Sequence, residues 1–570
     1  MTVDPLAVSP VVLDTTRPWS AWLARLRTAD PVVAAASVLV LIVPLTAVVS
    51  ALRHPWVGVN DWVLMEQAVR RVGTADTPLV GAPSRFGWHH PGPWPYYVMA
   101  PFHRLVPADV GLLFGAAMSN LLAAVGFVAV AVRQPRARAL VTLVGLAVLL
   151  RGLGVGLLVD PWNPNLAIVP LALYLLLCVE IARGEGRRWA VPVAVGVGSY
   201  AVQAHLGLLV PVVLIGVATG VLARRRPGGR GSWWVPAVVG AVAWLPPVID
   251  QVAGSGNLWR LARWTAGAEL IEPGPWEEGR LAAGEVVSGA AWLLDPGGLW
   301  AGRWSAPSAG YLYLLGDGTP WRLLLLVALL AATGYLATHA GPASGAVDEA
   351  GRRAAGIALV LALVGVVAVV AGLVGTRGLP FLWSLRWAAP VVLLVWLAFG
   401  WAGVARVAGR APSPSRAWSR VLPAVVLAVI AVPVALAVWR GSTGRQPSQA
   451  ESEIWLEVRD DLLAELRRQG EPVVLVPNPF LFGDEWMTLE LLVERVGLRW
   501  VPGDHPEAAD RPSYHAALLR PDYVHEADRT PGIVARSGIV REGRLRGHEL
   551  IIVRAPPPPR PTTPAGGVGS

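Results

Sequence analysis

Apolar runs of about twenty residues recur along most of this chain, separated by short polar loops. Such runs leave few structural options. Inside a bilayer every backbone N–H and C=O must be satisfied within the chain, so each run is expected to be a helix that crosses the membrane. About eleven candidate spans lie near residues 32–52, 109–132, 139–158, 165–182, 189–203, 206–223, 233–249, 321–339, 354–374, 384–404 and 421–439. Of the 570 residues, 54% are hydrophobic and 15% charged, against roughly 25% charged in a soluble domain. The stretch 189–223 is too long for one span and short for two. The loop charges favour two short helices that meet at Gln203-Ala204-His205.

Those loop charges are all arginine, because the chain has no lysine. That bias suggests a GC-rich bacterial genome such as an actinobacterium. Arg17, Arg25 and Arg27 precede the first span. Arg133, Arg136 and Arg138, then Arg183, Arg187 and Arg188, then Arg224, Arg225, Arg226 and Arg230, occupy alternate loops. Arg352 and Arg353 continue the series, and Arg406, Arg410, Arg416 and Arg420 close it. Every second loop is basic, so the positive-inside rule sets the N-terminus in the cytoplasm and the C-terminus outside, in a bacterial plasma membrane. The net charge of +9 is thereby explained without a nucleic-acid partner. The lone cysteine, Cys178, lies in an apolar run, which excludes a disulfide framework and a thiolate metal site.

The expected organisation is a cytoplasmic segment 1–31, a membrane domain 32–440 and an outside α/β domain 441–555, with a disordered Pro/Gly-rich tail 556–570. About 30 residues precede the first span, which reads as an uncleaved signal-anchor. In the outer domain, Glu453–Gln469 and Thr488–Val496 read as helices, and 472–476, 499–501 and 550–554 as strands. No internal repeat is visible.

Chemistry-bearing residues gather on the outside loops. The first, 53–108, opens with Asn60-Asp61-Trp62 and continues through Arg85 to Gly87-Trp88-His89-His90-Pro91-Gly92-Pro93-Trp94-Pro95-Tyr96-Tyr97. Asp61 has the chemistry of a general base; equally, Asn60 or Asp61 suits the N-cap of a helix over 62–72. Arg85, His89 and His90 suit a phosphate group, while Trp88, Trp94, Tyr96 and Tyr97 suit interfacial anchors. Asp160-Pro161-Trp162-Asn163-Pro164 supplies a second acid or a capped turn. Gln203 and His205 are cavity-lining or interhelical groups. Asp250 and Asn257 open the large outer loop 250–320 and either line the same cavity or cap a helix. Arg377 and Arg386 bind lipid phosphate or snorkel. Walker A, GxGxxG, GxSxG and HExxH signatures are absent.

A first span, an outer loop opening with an acid, and an HPGP–aromatic run entering the next span together resemble the GT-C superfamily of membrane glycosyltransferases. The likeness is to the branch with protein O-mannosyltransferases and the aminoarabinose transferase, and to actinobacterial cell-envelope enzymes. It covers about residues 30–440, and Gly87–Tyr97 is its most specific part. It implies an all-α polytopic fold and transfer of a sugar, mannose or arabinose among others, from a polyprenyl-phosphate donor to an envelope glycan, lipid or protein on the outer face. Configuration inverts. By this resemblance Asp61 is the catalytic base and Asp160 a second acid. Many relatives have paired acids where this chain has Asn60-Asp61, which favours an enzyme that requires no cofactor, although a divalent metal is possible. Glu66 is a rival base. The main alternative is a transporter or flippase for a lipid-linked saccharide; a polymerase or ligase and an envelope scaffold are others.

Overall fold

The computed structural model describes residues 30–84, 86–184, 187–224, 233–267, 283–301, 304, 321–339, 346–376, 381–408, 416–443, 449–475, 485–502, 505–508, 513–519, 533–537, 540–541, 544–545 and 549–555. The helices of the membrane part are α1 Pro31–Arg53, α2 Asp61–Arg71, α3 Trp94–His103, α4 Ala108–Ala131, α5 Arg136–Val159, α6 Asn163–Leu166, α7 Ile168–Arg183, α8 Arg187–Ala204 and α9 Leu209–Arg224. They continue as α10 Trp234–Ala253, α11 Asn257–Thr265, α12 Ala283–Leu293, α13 Gly298–Ala301, α14 Trp321–Thr338, α15 Ala346–Val374, α16 Leu382–Leu385, α17 Ala388–Ala408 and α18 Arg416–Thr443. Among the described residues ten helices are long and apolar enough to cross a membrane, so the chain is a multi-pass α-helical membrane protein.

Local chemistry sets the helix ends. Asp30 caps α1 by accepting from the Val32 and Val33 N–H groups at 2.9 and 3.4 Å, with Pro31 in the first turn. Near the end of α5, Gly154 takes φ +72°, which breaks the helix and re-aims its last turn toward Asp160. The split within 189–223 occurs at His205, where a 3₁₀ turn, Leu206–Leu208, joins α8 to α9. Arg187, Arg188 and Gln203 make α8 less apolar than its neighbours, and it is not among the ten.

Parity nevertheless requires α8 to cross. The Val57 N–H, just after α1, donates to Ser452 Oγ at 2.8 Å. Both residues therefore lie at one end of the bundle, and an even number of crossings must separate them. Without α8 the number is odd. Other long-range bonds agree: Asp30 pairs with Arg136 at 3.1 Å, and Gln134 with Glu180 at 3.0 Å, both at the opposite, arginine-rich end.

The C-terminal part contains α19 Gln449–Gln469, β1 Val473–Leu475, α20 Glu485–Arg495, β2 Trp500–Pro502, β3 Ser513–Leu519, β4 Ile533–Ser537, β5 Val540–Arg541, β6 Arg544–Leu545 and β7 Glu549–Ala555. Five strands form one sheet in the order β2-β1-β3-β7-β4, parallel around β1 and antiparallel around β7. Strands β3 and β4 are additional to those the sequence suggested. Val57 and Val59, in the segment that follows α1, share one apolar cluster with Ile454, Trp455, Leu489 and Leu492. The sheet and its helices are thus seated on the Asp61 end of the bundle.

The strongest tie is an ion pair. Glu66, fully buried on α2, accepts from Arg495 Nε at 2.8 Å and Nη2 at 2.5 Å. Glu66 is therefore not an available base, contrary to its rival role above. Burial alone would push its pKa up; the Arg495 charge, with help from His103, outweighs this and holds it at about 2. A depressed carboxyl pKa contributes stability that is complete above the unfolded value of 4.5 and is lost as pH falls through about 2. Replacing Arg495 by Ala leaves the buried carboxylate uncompensated, at a cost of about 3–5 kcal/mol. Thermal unfolding in detergent at pH 7 should show this loss, and the deficit should shrink below pH 4.5.

Candidate active site

The site begins with a strained residue. Asn60 has φ +51° and ψ −129° and makes no side-chain cap. Such a conformation costs about 1–3 kcal/mol in a non-glycine residue. It turns the chain so that Asp61 becomes the first residue of α2, and the Asp61 carboxylate looks outward to another loop. Neither Asn60 nor Asp61 therefore acts as the side-chain cap considered above. Asp61 Oδ2 accepts from Trp162 Nε1 at 3.0 Å. In return, Trp62 Nε1 donates to Asp160 Oδ1 at 2.9 Å. Two acid–tryptophan segments, roughly a hundred residues apart, thus exchange indole hydrogen bonds.

The two acids differ in surroundings. Asp61 is exposed, whereas Asp160 is 5% exposed. Asp160 Oδ1 also accepts from the Trp162 N–H at 2.9 Å, closing an Asx turn, and Oδ2 accepts from Asn165 Nδ2 at 2.7 Å. Burial raises the Asp160 pKa, while those bonds and Arg386 oppose the rise. Arg386 is 1% exposed and donates through Nη1 to Asn165 Oδ1 at 3.1 Å. It does not snorkel: it lies behind Asp160, and its own pKa is pushed down by burial to about 10. Asp160 is a saturated, anchored group, and Asp61 is the more exposed of the two carboxylates.

The histidine run is held from two sides. The His89 N–H donates to Asn257 Oδ1 at 2.8 Å, and the His89 carbonyl accepts from Asn257 Nδ2 at 2.9 Å. Asp250 in turn accepts from the Asn257 N–H at 3.0 Å and from Ser255 at 2.9 Å. Asp250 and Asn257 thus serve the capping role, and Asn257 clasps the loop. His90 Nδ1 accepts from the Leu206 N–H at 3.0 Å, and its ring lies 5.0 Å from that of His205. Burial, then the neighbouring imidazoles, keep the His90 pKa well below its usual value, and burial holds His205 at about 4. His89 is lowered too, by burial against an opposing Asp250. Burial thus disfavours the charged form of all three rings, and the His90 and His205 rings pack against each other.

Gln203 and Asn163 are spent on main chain. Gln203 Oε1 accepts from the Trp94 N–H at 3.2 Å, and its Nε2 donates to the Ala243 carbonyl at 2.8 Å. It caps α3 and bridges α8 to α10. Asn163 Nδ2 donates to the Ala204 carbonyl at 3.0 Å. Trp88 and Tyr96 are buried at 6% and 3% exposure, so they pack inside the protein and are not interfacial anchors. Burial, and next to it the Asp61 charge, raise the Tyr96 pKa. Arg85 and Arg377 lie outside the described residues. Among the described residues no group of three or more His, Cys, Asp or Glu stands together as a metal site. The sequence offered a signal for Trp62 and Trp162, since each directly follows or nearly follows an acid; nothing in it pointed to Asn165.

No family model and no curated protein matches the chain. Solved structures similar to the chain include the following two. One is the crystal structure of ArnT from Cupriavidus metallidurans bound to undecaprenyl phosphate, at TM-score 0.39 and 13% identity, covering 91% of this chain and 97% of that one. The other is the cryo-EM structure of the arabinofuranosyltransferase AftD from Mycobacteria, a mutant form, at TM-score 0.40 and 17% identity. It covers 91% of this chain and 41% of that one.

Gly92 explains the small residue in the HPGP run. A Cβ there would collide with Gln203 Oε1 and Pro247. Gly92→Ala should displace the Gln203 cap from Trp94 and destabilise the protein by about 1–3 kcal/mol. A thermal-shift series in detergent, with Gln203→Ala beside it, checks this; the double variant should lose little beyond either single one.

Proposed function

We propose that the protein is a glycosyltransferase that moves a sugar from a polyprenyl-phosphate donor to an envelope acceptor, at the extracytoplasmic face. The observation that carries this is the Asp61–Trp162 and Asp160–Trp62 exchange. It presents one exposed carboxylate at the membrane surface and fixes it through a buried one. The orientation rests on the basic loops, whose arginines Arg136 and Arg183 pair at the end away from Asp61.

Asp61 takes the proton of an acceptor hydroxyl. The hydroxyl oxygen attacks the anomeric carbon, the bond to the phosphate oxygen breaks, and polyprenyl phosphate leaves with inversion. The Trp162 indole N–H holds Asp61 Oδ2 in place. Arg85 and Arg377 supply positive charge toward the leaving phosphate, while buried Arg386 balances Asp160. Beneath the site, a cavity of about 570 Å³ runs between α7, α8 and α9, from Val202 and Leu209 beside His205 down to Ile181 and Arg224. Its lining is mostly apolar, with Tyr174, Ser199, Thr219 and Arg224 among the polar groups, which suits an isoprenoid chain. The activated donor carries its own leaving group, so no nucleotide is needed.

Purified protein in detergent, offered a panel of polyprenyl-phosphate sugars and envelope acceptors, should transfer sugar. Asp61→Asn should lower kcat/KM by about 10²–10⁴-fold, and activity should persist in EDTA. Equal rates for wild type and Asp61→Asn would remove Asp61 from the chemistry. Transport of the lipid-linked saccharide without turnover would favour a flippase.

A further inference from the structure

Aromatic rings at the Asp61 end are joined into one row. From the acid pair, Trp62 lies 6.1 Å from Trp162, and Trp162 lies 5.0 Å from Trp383. Phe381 flanks Trp383 at 5.6 Å. The row passes through His205, 6.3 Å from Trp383, to His90 and on to Trp88 at 5.3 Å. It ends at Trp264 and Phe86, with Trp264 5.1 Å from Trp88 and 5.2 Å from Phe86. The middle rings, His205, His90 and Trp88, are buried; Trp62, Trp162, Trp383, Phe381, Trp264 and Phe86 are half-buried.

Interfacial anchoring does not account for the row. Anchoring tryptophans stand apart and face lipid, and this chain has such residues: Trp233 is 80% exposed and Trp439 is 72% exposed. The row instead converges from several segments separated in sequence, each ring touching the next. At one end its member Trp162 also hydrogen-bonds Asp61. Ring faces beside polar groups are how proteins hold flat, weakly apolar ligands with hydroxyl edges. Sugar rings have that character: a C–H face that stacks on an aromatic ring, and a rim of hydroxyls.

We infer that the half-buried rings of this row form the acceptor subsite and that the acceptor is an oligosaccharide, laid across them with its terminal hydroxyl at Asp61. The placement of that hydroxyl rests on the transferase function proposed above. Trp383, next to Trp162, takes the sugar unit beside the reacting one, and Trp264 takes a unit further from the acid.

The test is ligand-observed saturation-transfer NMR on the full chain in detergent, with no donor present. The probes are oligosaccharides of hexopyranose and of pentofuranose, two to six units long. Wild type should bind at least one series. Trp383→Ala should weaken binding about tenfold, the equivalent of one good stacking contact, and Trp383→Phe should largely restore it. Trp264→Ala should matter for the longer probes only, and Trp439→Ala for none. Equal binding by wild type and Trp383→Ala, or no binding of any probe by wild type, overturns the subsite. Hydrolysis of a polyprenyl-phosphate sugar by wild type is read alongside. Trp383-dependent binding without donor turnover would keep the subsite and remove the transferase function; donor turnover with Trp383-independent binding would do the reverse.

Discussion

The exchange of indole hydrogen bonds between Asn60-Asp61-Trp62 and Asp160-Pro161-Trp162 is the constraint on which the site depends. Each tryptophan serves the other segment's acid, so neither loop can shift without releasing both bonds. The buried half, Asp160, is saturated by Trp62, Trp162 and Asn165 and is balanced by Arg386. The exposed half, Asp61, inherits that rigidity while staying open to solvent. A carboxylate held in this way by its neighbours has little left to reorganise, which is what the proposed role of Asp61 as base requires. Strain at Asn60 belongs to the same arrangement, since the turn it makes directs Asp61 toward Trp162.

A second constraint comes from the C-terminal part. Arg495 reaches from α20 into the bundle end and closes on Glu66, while Arg70 donates to the Glu494 carbonyl at 3.1 Å. Helix α2 is therefore fixed at its start by Trp162 and along its length by α20. The same contact sets the topology, because a chain that ends on the face of its first loop must cross an even number of times in between.

Much of this was legible in the sequence. The apolar runs and alternating arginine loops gave the spans, and the break at Gln203-Ala204-His205 fell where loop charge required it. Asp61 and Asp160 were legible as acids on one face for the same reason. Their partners were not. The bonds to Trp62 and Trp162 join residues about a hundred positions apart and exist only after α4 and α5 have packed. Arg495 and Glu66 are 429 positions apart, and a lone glutamate on an amphipathic helix gives no hint of such a partner. Gln203 reads from sequence as cavity-lining or interhelical, Asp250 and Asn257 as cavity-lining or capping, and Asn163 as part of a capped turn, because polar residues near membrane helices are costly when unpaired. They are paired, but with main chain, which side-chain patterns do not encode. Strand β3, Ser513–Leu519, was missed because Ala516 and Ala517 have little strand preference.

The most direct measurement is a double-mutant cycle on sugar transfer, with kcat/KM for wild type, Asp61→Asn, Trp162→Phe and the double variant. If Trp162 acts by holding the Asp61 carboxylate, its loss alone should lower the rate about tenfold, the worth of one hydrogen bond to a charged group. In the Asp61→Asn background the same change should then cost almost nothing. Losses that multiply in the double variant would mean that the two residues work independently, and would contradict the coupled site.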